Sequence, residues 1–164
     1  MATFAKIRFQ LDASDWHGHG SETVWAEPIA ETEFNILRIA NSPYFTTGIS
    51  YCDVVSATAA GDSLLFDFLK VIERGGHSTY MILAIPQDVR LQSYWSPLQD
   101  HGCSYESMNI NLSVGRRLLY SVDVPPRANI SDVYSLLEEG ESAGVWKFQE
   151  GFAYLPNADP AKNS

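Results

Sequence analysis

Glu73-Arg74-Gly75-Gly76-His77-Ser78-Thr79-Tyr80 divides the chain into two halves of different pattern. Paired glycines let a backbone turn sharply, so Arg74-Gly75-Gly76 reads as a hinge between two units. Upstream, Ile7, Phe9 and Leu11 alternate with Lys6, Arg8 and Gln10, the period of two that marks a half-buried strand. Further strands are expected over residues 23–26, 34–39, 51–57 and 64–73. A polar turn at Glu31-Thr32-Glu33, a break at Asn41-Ser42-Pro43 and a turn at Ala60-Gly61-Asp62 separate them. Five short strands with no helical period predict a small antiparallel barrel or a strongly curled sheet, forms that protect strand edges.

Downstream of the glycines the period changes. Residues 78–85 read as a strand ending at Pro86, and Asp88 as the cap of a helix in which Val89, Leu91, Tyr94, Trp95 and Leu98 recur at helical spacing. Pro97 is expected to kink or split that helix, because it lacks a backbone donor and crowds the preceding turn. Gly102 supplies its stop. Residues 103–110 and 117–124 read as strands joined through residues 111–116, with Pro125-Pro126 ending the second. Asn129 is a good cap for a second helix whose apolar face carries Ile130, Val133, Tyr134, Leu136 and Leu137. Gly140 is expected to weaken that helix near its end and Gly144 to cap it, before a last strand over residues 145–155. Strand, helix, strand, strand, helix, strand is the order of a ferredoxin-like split βαβ unit. The expected fold is therefore α+β: a β-rich, barrel-like unit over residues 1–75, a ferredoxin-like βαββαβ unit over residues 76–155, and a flexible tail over residues 156–164.

A chain of 164 residues has room for one domain or two small ones. Its 45% hydrophobic residues, 19% charged residues and mean hydropathy of -0.13 exclude a wholly disordered chain. Eleven Lys and Arg against twenty Asp and Glu leave a net charge of -9. That balance argues against binding to nucleic acid or to anionic membranes, both of which need clustered cations, and favours a basic protein partner. The N-terminus lacks the apolar run of a signal peptide, and no stretch reaches the length of a membrane span, so a cytoplasmic location is expected. Cys52 and Cys103 lie far apart and outside any C-x-x-C pattern; they read as small buried hydrophobes, with no metal site and no cofactor implied.

Several stretches resemble one bacterial family. They are Ala26-Glu27-Pro28, Gly48-Ile49-Ser50-Tyr51-Cys52-Asp53-Val54-Val55, Val71-Ile72 running into the Glu73 to Tyr80 segment, His101-Gly102-Cys103, Val122-Asp123-Val124-Pro125, and Glu138-Glu139-Gly140-Glu141 with Gly144 and Trp146. Across residues 6–152 the chain is similar to the Domain of Unknown Function 4265 family. The resemblance implies no activity and assigns no catalytic residue.

Two candidate sites follow from residue chemistry. The second helix and its exit carry Asp132, Glu138, Glu139 and Glu141, then Trp146 and Glu150, an acidic surface with aromatic neighbours suited to a basic cleft. With it goes the expectation of a non-catalytic module, most concretely a cytoplasmic immunity protein that neutralises a cognate antibacterial toxin, possibly a nuclease. The alternative is a small-molecule-binding regulator or enzyme with its site between the two units near Glu73, His77, Ser78 and Tyr80. His77 and Ser78, adjacent on one strand, point to opposite faces and so do not form a direct base and nucleophile pair. Three lesser features read as structural. His17 and His19 form an H-x-H pair in a glycine-rich loop, and Asp12, Asp53, Asp62, Asp67 and Glu73 are carboxylates that nothing in the sequence places together. Arg116-Arg117, at a hairpin, is able to hold an anion but reads first as a solvated turn.

Overall fold

Side chains that alternate inward and outward let a small sheet close on itself around an apolar interior, and the first half of the chain alternates in this way. The computed structural model describes residues 3–32, 34–61 and 63–156. Strands β1 (Ala5–Gln10), β2 (Ser21–Glu31), β3 (Asn35–Ile39), β4 (Val54–Ala59) and β5 (Leu65–Glu73) form a closed barrel in chain order. Ile7, Phe9, Val24, Ala26, Leu37, Ile39, Val55 and Ala57 fill its interior. Consecutive strands pair antiparallel, but β1 and β5 pair parallel. This corrects the expectation of a wholly antiparallel barrel: in an up-and-down barrel of five strands, the first and the last must run in the same direction.

The expected strand over residues 51–57 also begins late. Tyr51 and Cys52 lie in a turn, and Cys52 has a φ of 71°, a left-handed conformation uncommon outside glycine. Its N–H donates to Ile39 O at 3.0 Å, which holds the turn against β3. Glu33 and Asp62, which figure in the expected turns, and the tail from residue 157 lie outside the described residues.

The second half forms β6 (Ser78–Ala84), α1 (Leu91–Asp100), β7 (Ser104–Leu112), β8 (Gly115–Val124), α2 (Ile130–Ser142) and β9 (Trp146–Phe152). Its four strands make an antiparallel sheet in the order β7-β8-β6-β9. One face of that sheet presents Tyr80, Ile82, Tyr120, Val122 and Trp146 to Trp95 and Leu98 of α1 and to Val133 and Leu137 of α2. Leu112 pairs with Gly115, so the β7–β8 connection is the two-residue turn Ser113-Val114, tighter than expected.

Helix α1 runs unbroken through Pro97, which corrects the expectation that Pro97 splits it. The carbonyl that loses a donor to Pro97 is that of Ser93, an exposed residue whose C=O water can satisfy. Arg90, not Asp88, occupies the cap position; Asp88 instead accepts the Arg90 N–H at 2.9 Å and pairs with its guanidinium. Asn129 does cap α2, accepting the Asp132 N–H at 3.1 Å. After α1, Gly102 turns the chain with a φ of 93°.

Gly140 has a second role beyond its low helix propensity. A β-carbon there would fall inside the Trp146 indole, whose Nε1–H donates to Leu137 O at 2.9 Å. The glycine lets α2 lie directly on β9. Propensity alone makes Gly140→Ala stabilising by about 1 kcal/mol, whereas the packing predicts a loss of about 1–3 kcal/mol. Urea unfolding separates the two; a more stable Gly140→Ala variant would contradict this packing.

Candidate functional site

The polar groups of the chain gather where the barrel meets the sheet. Asp53, with a side chain only 1% exposed, immediately precedes β4. Its carboxylate accepts the Ser50 N–H at 2.9 Å, the Gly75 N–H at 3.0 Å and Arg74 Nη1–H at 2.9 Å. Arg74 also donates to Gly48 O at 2.7 Å, and its guanidinium lies 3.8 Å from the centre of the Phe152 ring on β9. A β-carbon on Gly75 would collide with the Cys52 carbonyl, so only glycine lets the joint close this tightly. Arg74-Gly75-Gly76, expected as a hinge, is held from both sides.

The sheet meets this joint with its second face, the one without helices. Thr79 Oγ1 donates to Ser50 Oγ at 2.7 Å, Gly48 N–H to Gly151 O at 2.9 Å, and Ser121 Oγ–H to Pro43 O at 2.6 Å. Beside these bonds His77 Nδ1 and Asp123 Oδ1 are 2.7 Å apart, with the Tyr51 ring edge-on to the imidazole at 5.0 Å. Burial pushes the Asp123 carboxyl up, against the opposing pull of His77 and Arg127. A half-open polar cavity of about 370 Å³ adjoins, lined by Tyr51, Ser104, Glu106, Ser121 and Asp123 among others. The pair can hold or pass a proton at His77 Nδ1 and Asp123 Oδ1.

A second carboxylate organises the same loop from the other side. Glu22 on β2 accepts three consecutive backbone donors, the Tyr44 N–H at 2.6 Å, the Phe45 N–H at 3.1 Å and the Thr46 N–H at 2.9 Å. Those bonds hold Tyr44 and Phe45 against Met81, Ile110 and Leu119 of the sheet. Neither Glu22 nor Asp123 stands out in the sequence as a candidate; Glu22 is an ordinary charged position on an alternating strand, and its partners lie more than twenty residues away.

Of the residues expected around the junction, His77 alone lies in the His77–Asp123 pair. Glu73 is exposed at the end of β5, Ser78 Oγ accepts the Tyr154 N–H at 2.8 Å, and Tyr80 lies on the helix-covered face with its hydroxyl 3.2 Å from Glu150. Alternation along the strand turns His77 away from Ser78 and Tyr80, and Glu73 ends a different strand, so the four are not one site.

Asp132, Glu138, Glu139 and Glu141 are exposed on α2, but Glu141 Oε2 accepts the Phe148 N–H at 3.0 Å at the edge of β9. Trp146, expected as a contact for a partner, is 3% exposed and belongs to the core. Its indole fills the space that Gly140 leaves.

The remaining candidates fall to structural roles. Asp67 pairs with Arg8 at 2.7 Å and Asp12 caps its own turn through Ser14. His17 and His19 pack around Phe45, and among the described residues no group of three or more His, Cys, Asp or Glu is arranged to hold a metal ion.

Fold and site define a strand-dominated α+β protein, a closed five-stranded barrel joined through buried polar groups to a four-stranded sheet carrying two helices among the described residues. It belongs to the family described as Domain of unknown function (DUF4265), whose model matches residues 22–148. A structure described as "Novel crystal structure of a hypothetical protein from Neisseria gonorrhoeae" is similar to it, with a TM-score of 0.64 at 16% identity, covering 94% of this chain and 97% of that one. The likeness is one of fold. No curated protein matches the chain in sequence. None of the helices among the described residues is long and apolar enough to cross a membrane.

The two thiols check burial in two places, Cys52 beside the joint and Cys103 in the helix-covered core. Desolvation pushes the Cys103 thiol up to about 12 and raises Cys52 as well. A shift of that size lowers the thiolate fraction about a thousandfold at pH 8, so Cys103 should react with a thiol reagent only after unfolding. Stoichiometric labelling of Cys103 within seconds in the native protein would contradict this environment.

Proposed function

We propose that the protein is a non-catalytic binding module that captures a basic protein partner through the exposed face of α2. The most concrete form of that reading is a cytoplasmic immunity protein neutralising a cognate antibacterial toxin, such as a nuclease whose cleft is basic. The observation that carries it is the state of the α2 carboxylates: among the described residues no cation pairs with Asp132, Glu138 or Glu139. Asp132 and Glu139, seven residues apart, stand nearly in line two turns from each other, with Glu138 beside them. The contact of Gly140 with Trp146 fixes the helix that presents them, so a partner meets a preorganised surface. The net charge of -9 adds a long-range field that speeds encounter with a cation-rich surface.

Compared with the six residues expected from sequence, the proposed surface is smaller. Trp146 is withdrawn, and Glu141 and Glu150 are engaged within the fold by Phe148 and Tyr80. In the same reading, residues 76–155 are a ferredoxin-like unit. The sheet order β7-β8-β6-β9 with every neighbour antiparallel, and both helices on one face, support that description.

The test first asks whether a neighbouring reading frame encodes a large toxin-bearing protein, and then titrates the purified chain with that protein's C-terminal domain across a salt series. The triple variant Asp132→Asn, Glu138→Gln, Glu139→Gln should weaken binding by roughly 10–1000-fold, most of it lost at high salt. Equal affinity for the wild type and the triple variant, or no binding at micromolar concentration, would contradict the proposal.

A further inference from the structure

The helix-free face of the sheet is covered by the barrel at only one end. Tyr44 and Phe45 lie over Met81, Ile110 and Leu119, while Leu83, Leu112 and Val114 continue beyond them as an open depression of about 330 Å³ walled by Trp16. Lys147 and Gln149 supply its polar lining. A neighbouring depression of about 640 Å³ shares Leu83, Val114, Lys147 and Phe148 with it and adds Arg117.

Two features of this end of the sheet are unusual. The Ser113-Val114 turn places a β-branched apolar side chain, 69% exposed, where turns favour Gly, Asn, Asp or Ser. Second, a chain of net charge -9 puts both Lys147 and Arg117 in the lining of the larger depression, and Lys147 in that of the smaller as well, with Arg116 next in sequence. None of the three is in an ion pair among the described residues. Arg117 lies back along the turn, donating to Arg116 O at 2.9 Å and to Val114 O at 3.4 Å, which keeps its charge close to the apolar floor. Glu141 also lines the larger depression, where it accepts the Phe148 N–H.

We propose that this groove binds a medium-chain alkyl carboxylate, the chain lying over Leu83, Leu112 and Val114 and the carboxylate meeting Lys147 and Arg117. Its volume lies at the small-molecule end of pocket sizes. The apolar floor is on the opposite face of the sheet from α2; Glu141 of α2 reaches only the larger depression, and Asp132, Glu138 and Glu139 line neither, so the site does not depend on the proposed acidic surface.

Calorimetric titration of the full chain with decanoate, octanoate and decanol tests it. Decanoate should bind one to one, octanoate more weakly by roughly fourfold for each methylene removed, and decanol at least about tenfold more weakly than decanoate. Lys147→Glu should weaken decanoate about tenfold and leave decanol unchanged, whereas Val114→Asp should weaken both. Both positions are exposed, so circular dichroism should show each variant folded. Absence of decanoate binding at millimolar concentration, equal binding of decanoate and decanol, or wild-type binding by both variants would overturn the proposal. So would binding of a short acidic peptide at this face without binding of decanoate.

Discussion

The buried Asp53 carboxylate is the constraint on which the architecture depends. A charge with a side chain 1% exposed persists only where every oxygen has partners, and Asp53 has three: Arg74 and the amides of Ser50 and Gly75. The partners tie separate pieces of the structure together. Ser50 lies in the long β3–β4 connection, Gly75 in the link from barrel to sheet, and Arg74 extends the network to Gly48 and to the face of Phe152 on β9. Loss of the charge therefore frees the loop, the link and the last strand together.

The same joint explains why neither half needs to manage on its own. A barrel of five short strands encloses a small core, and the sheet has one face without helices. Packing the β3–β4 connection onto that face closes part of the deficit in both. Glu22 contributes by fixing Tyr44, Phe45 and Thr46 through their backbone amides, which leaves the two aromatic rings available to the sheet. The sheet's outer edge on β9 receives similar care, since Glu141 occupies the Phe148 N–H that would otherwise invite another strand.

Local pattern made most of the fold legible. Period two marked β1, the long apolar run marked β5, and Asn129 marked the start of α2, because each signal is written within a few residues of the element it specifies. What escaped the sequence depends on partners far along the chain. Pro97 was tolerable because Ser93 happens to face water, and Gly140 mattered because Trp146 returns onto it from β9. Trp146 itself, an aromatic beside a run of acids, suggested a surface contact until β9 turned it inward. Of the junction residues, His77 was recognisable and its partner Asp123, forty-six positions away, was not. The carboxylates that shape the molecule, Asp53 and Glu22, look in sequence like any other solvated acid.

Amide hydrogen exchange on Asp53→Asn, combined with its urea unfolding, tests the central role of this joint most directly. Breaking a buried ion pair costs about 3–5 kcal/mol, and the account predicts a loss of that order with protection falling together at residues 48–53, at 74–75 and at the Gly151-Phe152 end of β9. A variant within about 1 kcal/mol of the wild type, with protection retained in all three segments, would contradict it.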